Sequence, residues 1–101
     1  MASLSFTDRV EPLGKPGVAR QLAAGSTSTN TALTAGVFRI SMRAVGADIR
    51  FSIGAGSQTA TSTSHFIANG ERLDFAVTSG SNIAVLRNGT TDGTLEVTEL
   101  S

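Results

Sequence analysis

The stretch GVFRISMRAVGADIRFSIG, residues 36–54, alternates apolar and polar groups twice over. That two-residue period limits the fold more than any other feature of the chain. In Val37–Ala44, Phe38, Ile40, Met42 and Ala44 share one phase, and Arg39, Ser41 and Arg43 the other. In Asp48–Ile53, Ile49, Phe51 and Ile53 alternate with Arg50 and Ser52. A helix would scatter such groups around its circumference, whereas a strand sends them to opposite faces, so both runs read as half-buried strands. With Gly46 between them they read as a hairpin, which puts Arg50 on the same outer face as Arg39 and Arg43. Three like charges there repel unless something answers them. Asp74 or Glu96 on an adjoining strand, or solvent, would answer within one molecule. A carboxylate-bearing partner, which arginine grips bidentately, is the other answer.

Strand signals continue at short spacing. Val18–Ala23 reads as a first strand, although VARQLAA (18–24) also fits a short helical turn. Ser26–Leu33 is Thr-rich and polar, an edge strand or a loop, and residues 54–64 have the same character. Ser64–Ala68 and Arg72–Thr78 flank Asn69-Gly70, the dipeptide of a type I′ hairpin, whose two central residues both need positive φ. In the second of these runs Leu73, Phe75 and Val77 face inward. Asn82–Arg87 is nearly continuous in apolar character, as a central strand would be. Thr94–Glu99 closes the series with Leu95 and Val97 in and Glu96 and Thr98 out. Seven or eight short strands without a convincing helix predict an all-β fold. The expected architecture is an antiparallel two-sheet sandwich, jelly-roll-like, with an extended N-terminal arm.

The arm is residues 1–17, and the sandwich domain is residues 18–101. The arm holds both prolines, Pro12 and Pro16, and reads as extended chain with turns. It also carries Leu4, Phe6, Val10 and Leu13, more large apolar groups than a solvated tail needs. They pack either on their own sandwich or on a neighbour. The 101 residues make one domain, with 25 Ser and Thr, 13 Ala, five Phe and no Trp, Tyr or Cys. Without cysteine there is no disulfide framework and no Cys-based metal site. No apolar run approaches the ~18 residues of a membrane span, and the start lacks the pattern of a secretion signal. Net charge is zero, which argues against a nucleic-acid partner. The charge is uneven, +3 over residues 1–50 and −3 over residues 51–101. It suits either head-to-tail contacts or neutralisation between neighbouring strands.

Catalytic and metal chemistry find little purchase. His65 is the lone histidine, and Ser64 and Asp74 supply the names of a triad, but no nucleophile elbow is present. His65 therefore reads as a surface or interface residue. Asp92, in TTDGT, lacks the spacing of a calcium loop, and the plain reading is a tight turn with Gly93 at positive φ. Gly54-Ala55-Gly56 lacks the third glycine of a dinucleotide fingerprint, and Asn88-Gly89-Thr90 reads as a turn. No catalytic, cofactor or metal residue is assigned, and no enzyme activity is expected.

Three strings, GVFRISMRAVGADIRFSIGAG, SHFIANGERLDFAV and SNIAVLRNGTTDGTLEVTEL, come in an order that resembles small virion proteins of tailed bacteriophages. The resemblance is to β-sandwich cement or head-decoration proteins, notably those of phages of cyanobacteria and other marine bacteria. It runs over residues 36–99. It implies a non-enzymatic structural protein, made in the host cytoplasm and ending on the outside of the capsid. Its partners would be the major capsid protein and further copies of itself, as a dimer or trimer. The partner surface would comprise Leu4, Phe6, Val10 and Leu13 of the arm with Arg39, Arg43 and Arg50. Lacking Trp and Tyr, such an interface favours strand addition or a broad contact, and STSTNTAL offers an edge. A tail, neck or fibre component is the alternative place in the virion. A carbohydrate-binding module ranks lower, because the phenylalanines lie mostly at core phase.

Overall fold

The structure, a computed structural model, describes residues 15–100. The alternating segments form eight strands: β1 (Pro16–Ala24), β2 (Thr29–Ala32), β3 (Arg39–Val45), β4 (Ile49–Ala55), β5 (His65–Ile67), β6 (Arg72–Ala76), β7 (Ser81–Arg87) and β8 (Gly93–Leu100). They build two four-stranded sheets, β1-β8-β3-β6 and β2-β7-β4-β5, and every paired neighbour is antiparallel. First pairs with last, second with seventh, third with sixth and fourth with fifth. This nested pairing, folded over so that β3 meets β8 and β4 meets β7, is the jelly-roll wrap. The expected all-β, two-sheet sandwich is therefore the architecture of the described residues.

The inward phase of each strand supplies the core. Ile40, Met42 and Ala44 of β3 and Leu95 and Val97 of β8 face Ile49 and Phe51 of β4, Ile67 of β5, and Ile83 and Val85 of β7. All ten are at most 2% exposed. Central β7 buries Ile83, Ala84 and Val85 in succession because the segment between β4 and β5 folds over the second sheet's outer side. Ala60 of that segment is buried, and its N–H donates to Ser28 Oγ at 2.8 Å. Gln58 N–H donates to Asn30 Oδ1 at 2.9 Å. The Thr-rich edge at β2 is thus braced by the chain's own loop.

Several sequence expectations are corrected. Residues 37–44 and 47–53 do not form a hairpin, since β3 and β4 lie in different sheets. Asn69-Gly70 also carries the chain from one sheet to the other. Only Gly70 has positive φ (85°), so the turn is not type I′. Asn69 instead accepts the Gly46 N–H on Oδ1 at 3.0 Å, stitching two crossovers together. Phe38 lies before β3 and is 60% exposed rather than part of the core. VARQLAA is strand, and β1 starts at Pro16, two residues inside the expected arm. Gly93 does not have positive φ. It opens β8 where a Cβ would come within 3.1 Å of the Ala47 side chain and 3.2 Å of the Val45 carbonyl oxygen. The arm residues Leu4, Phe6, Val10 and Leu13 lie outside the described residues.

Truncating the core should therefore be costly, and trimming the surface should not. Met42→Ala is expected to lose about 2–5 kcal/mol in a urea or guanidinium melt, while Val45→Thr should stay within about 0.5 kcal/mol of the parent. Equal effects would mean that the inward phase of β3 is misassigned.

Candidate functional site

The three arginines separate. Arg39 and Arg43 stand on the outer face of the first sheet, in the same phase as Ser41. Cross-strand, Arg43 lies between Arg72 on β6 and Glu96 on β8, and Arg39 between Ala76 and Leu100. Among the described residues the ion pairs are Arg20–Glu99 and Arg87–Asp92. Neither Asp74 nor Glu96 neutralises Arg39 or Arg43 by direct contact. Arg72 turns its Nη1 to Ser41 Oγ at 3.0 Å, and Glu96 Oε1 accepts from Gln21 at 3.3 Å. The face is a polar sheet surface with guanidinium groups left for solvent or a partner.

Arg50 is on the other sheet, which corrects its grouping with Arg39 and Arg43. Its Nε donates to Asn88 Oδ1 at 2.9 Å and its Nη1 to the Ser64 carbonyl at 3.0 Å. The guanidinium carbon sits 4.8 Å from the Phe66 ring centre. Two donated hydrogen bonds and a cation–π contact commit the group to its own molecule. Arg50 pins the end of the β4–β5 loop and the β7–β8 turn. It is a brace, and it lies over the ring of Phe66, which stays 41% exposed.

The second feature is a groove. β5 is only three residues long and pairs with Ile49–Phe51, so β4 runs on past it with an open edge. Across the interior from that edge lies β6, the outermost strand of the first sheet. The opening between them is a cavity of about 290 Å³ lined by Phe51, Ile53, His65, Phe75, Val77 and Ser81 among others. The Phe51 ring lies 5.5 Å from His65 and 5.8 Å from Phe75, centre to centre, at tilted angles. His65 is exposed at the rim and faces between the sheets, opposite Phe51. Asp74 shares the outer face of the first sheet with Ser41, and Ser64 Oγ accepts the Thr61 N–H. The three triad names are thus not brought together. Among the described residues no three histidine or acidic groups converge. A polar hollow at the opposite end has one carboxylate, Asp48, which already accepts the Asn69 N–H at 2.7 Å.

The residue that sequence reasoning missed is Glu99. It is 2% exposed on the inward side of β8. Its Oε2 accepts from Arg20 Nε at 2.9 Å and from the Thr34 N–H at 3.0 Å, while Arg20 Nη2 reaches Thr34 Oγ1 at 3.1 Å. Oε1 is buried without a hydrogen-bond partner among the described residues. Burial pushes the carboxyl up. The Thr34 hydrogen bonds and the Arg20 guanidinium outweigh that effect and hold it below its ordinary value. The signal was in the phase: Leu95, Val97 and Glu99 share one parity, as do Arg20, Leu22 and Ala24. One carboxylate thereby ties β8, β1 and the β2–β3 connection together.

With this geometry in hand, comparison with known proteins bears on the fold. No family model matches the chain, and no curated protein matches it. Similar solved structures include two all-β proteins. A de novo designed double-stranded β-helix, solved by solution NMR, superposes with a TM-score of 0.55 at 19% identity, covering 82% of this chain and 99% of that one. The crystal structure of PirA gives a TM-score of 0.57 at 14% identity, covering 84% and 95%. At such identities the likeness is one of fold. The described residues form a small eight-stranded jelly roll with an outer face bearing unpaired arginines and with an open edge groove.

The Glu99 tie makes stability pH-dependent. Its folded-state carboxyl titrates below the unfolded one, so its contribution is full above the ordinary carboxylate value and is lost as pH falls through the lower, folded-state value. Glu99→Gln should cost about 1–3 kcal/mol at neutral pH. Thermal melts from neutral to acidic pH should show the variant losing less stability on acidification than the parent. Parallel pH profiles would mean that the carboxylate is not a stabilising partner.

Proposed function

We propose that this protein is a non-enzymatic virion structural protein, a decoration or cement protein that binds the outer surface of a phage capsid. The observation that carries the reading is the outer face of the first sheet. Arg39 and Arg43 stand there without an ion-pair partner among the described residues, beside a third arginine, Arg72. Desolvating unpaired guanidinium groups is favourable only against carboxylates or carbonyl-rich surface, where each can bind bidentately. A capsid exterior offering acidic groups in a regular array would do this at many equivalent positions. The resemblance over residues 36–99 supports the same role, and a side-chain-filled interior suits a module that works through its surface. Arg50, being spent internally, drops out of the proposed contact. Arg39, Arg43 and the arm residues Leu4, Phe6, Val10 and Leu13 remain in it.

The test is the molar ratio of this protein to the major capsid protein in purified particles. The expected value is one copy per capsid subunit or a simple fraction of it, as symmetric decoration requires. A ratio of a few copies per particle would move the protein to the tail or neck. Its absence from particles would end the reading. On particles, Arg39→Glu with Arg43→Glu should abolish binding while leaving the melting temperature close to that of the parent. Binding by the parent should weaken as salt rises. Deletion of residues 1–14, which spares Pro16 and the β1 pairing, is likewise expected to abolish binding.

A further inference from the structure

A strand left bare at the end of a sheet offers its backbone to another chain. The jelly roll has four sheet ends, at β1, β6, β2 and β5. β1 carries Pro16 and a register break between Pro16 and Ala19, and the Arg20–Glu99–Thr34 tie lies along it. β2 is braced by Gln58 and Ala60. β5 is only three residues long, with Arg50 over its Phe66. β6 has none of these devices. Its register with β3 is unbroken from Arg72 to Ala76, and it contains no proline, glycine or lysine.

The hydrogen-bond parity shows what β6 presents. The Ala44 N–H donates to the Glu71 carbonyl at 3.2 Å, and the Val77 N–H to the Phe38 carbonyl at 2.7 Å. Odd-numbered residues of β6 therefore turn their backbone groups to β3, and Arg72, Asp74 and Ala76 turn theirs outward. β6 has no neighbouring strand on that side among the described residues. The side chains add a charge problem. By the same parity Arg72 lies opposite Arg43 in a non-hydrogen-bonded pair, where side chains come closest and like charges repel. Arg72 finds only the neutral Ser41 Oγ, and Asp74 is exposed without an ion-pair partner among the described residues.

We propose that β6 pairs antiparallel with β6 of a second copy, about a two-fold axis at Leu73. Only the outward-facing residues can bond across such an edge, which leaves a few registers. Centred on Leu73, the pairing sets Arg72 opposite the partner's Asp74 and Asp74 opposite the partner's Arg72, both as hydrogen-bonded pairs. Centred on Arg72 or on Asp74, it would oppose like charges. Centred on Phe75, it would oppose Asp74 to Ala76 and carry Arg72 past the end of the strand. Charge thus selects one register and one occupant, because the edge is complementary to itself. On the inner side Leu73 meets the partner's Leu73, and Phe75, 38% exposed, lies diagonal to it. Two four-stranded sheets join into one. The axis runs perpendicular to that sheet, so Arg39 and Arg43 of both copies share one outer surface. The inference goes beyond the capsid reading and does not depend on it.

The test is a dilution series of the full chain by sedimentation velocity, without particles. A monomer–dimer equilibrium is expected. Asp74→Arg and Arg72→Asp, made separately, should each move its midpoint to about tenfold higher concentration or more, since each sets like charges across the axis. The double exchange should restore the midpoint to within about threefold. An equimolar mixture of the two single variants should form a heterodimer. Melts of the dilute single variants should stay close to the parent, which places the loss in association. The full chain has no cysteine, so Leu73→Cys reports the axis without background: under mild oxidation it should give a disulfide-linked dimer several-fold faster than Phe75→Cys. A parent that is monomeric throughout the series, or a dimer unmoved by either single variant, would overturn the pairing. Failure of the double exchange to restore it, or faster closure at Phe75→Cys, would overturn the register. A dimer in solution and binding to particles are separate readouts, so this inference and the capsid reading fail separately.

Discussion

Six of the seven connections between the described strands cross from one sheet to the other, and the rest of the structure follows from that constraint. A chain that changes sheet at nearly every turn must pair strands from opposite ends of its sequence. Arg20 and Glu99, bonded at 2.9 Å, are 79 positions apart. Each strand then has one face turned to the opposite sheet, and its two-residue period is satisfied only by inward groups that interdigitate across the interior. The core is consequently shared among β1, β3, β4, β5, β7 and β8, and no pair of consecutive strands could hold it alone. Edge strands are the cost of leaving the wrap open rather than closing it into a barrel.

The four edges are treated differently. At β2 the edge is braced by Gln58 and Ala60 of the β4–β5 loop, which also roofs the outer side of the second sheet. The edge at β1 lies nearest the Arg20–Glu99–Thr34 tie, which closes that flank between the sheets. Among the described residues no such device spans β5 and β6, where the interior opens as a groove beside Phe75 and Val77. The asymmetry extends to the faces. The second sheet turns Arg50 to holding its own loop and Arg87 to Asp92, whereas Arg39 and Arg43 of the first have no ion-pair partner among the described residues. The unpaired arginines and the open edge both lie on the side of the molecule that includes β3 and β6.

How far the sequence disclosed this depends on which property was asked of it. Period and burial were legible: Ile40, Met42 and Ala44, then Leu95 and Val97, fall at 0–1% exposure as their alternation implies. Central β7 was legible from its unbroken apolar run, and the polar edge at β2 from its threonines. Adjacency was not legible. A Gly46 or an Asn69-Gly70 tells the chain to reverse, yet the same reversal serves a hairpin within a sheet and a crossover between sheets. The choice is made by distant strands: β3 is claimed by β6 and β8 and so cannot also pair with β4. That single misassignment carried Arg50 to the wrong face. Phe38 was misjudged for a related reason. It has the core phase, but it lies beyond the last position where the opposite sheet can cover it.

Glu99 shows the opposite failure, a signal that was present and overruled by residue type. Its parity with Leu95 and Val97 points inward, and so does that of Arg20 with Leu22. Two charges of opposite sign at inward phase mark candidates for a buried tie, although the pairing of β1 with β8 that brings them together was not legible. A buried carboxylate is stable only when its partners are fixed in place, and here they come from β1 and from Thr34 in the β2–β3 connection. The same connection leads directly into Phe38 and β3. The tie therefore holds the end of the sandwich where β1 begins and β3 is entered. Any event that loosens Glu99 acts on the Phe38 segment as well as on the core, which couples the one buried carboxylate among the described residues to the most exposed large apolar side chain among them.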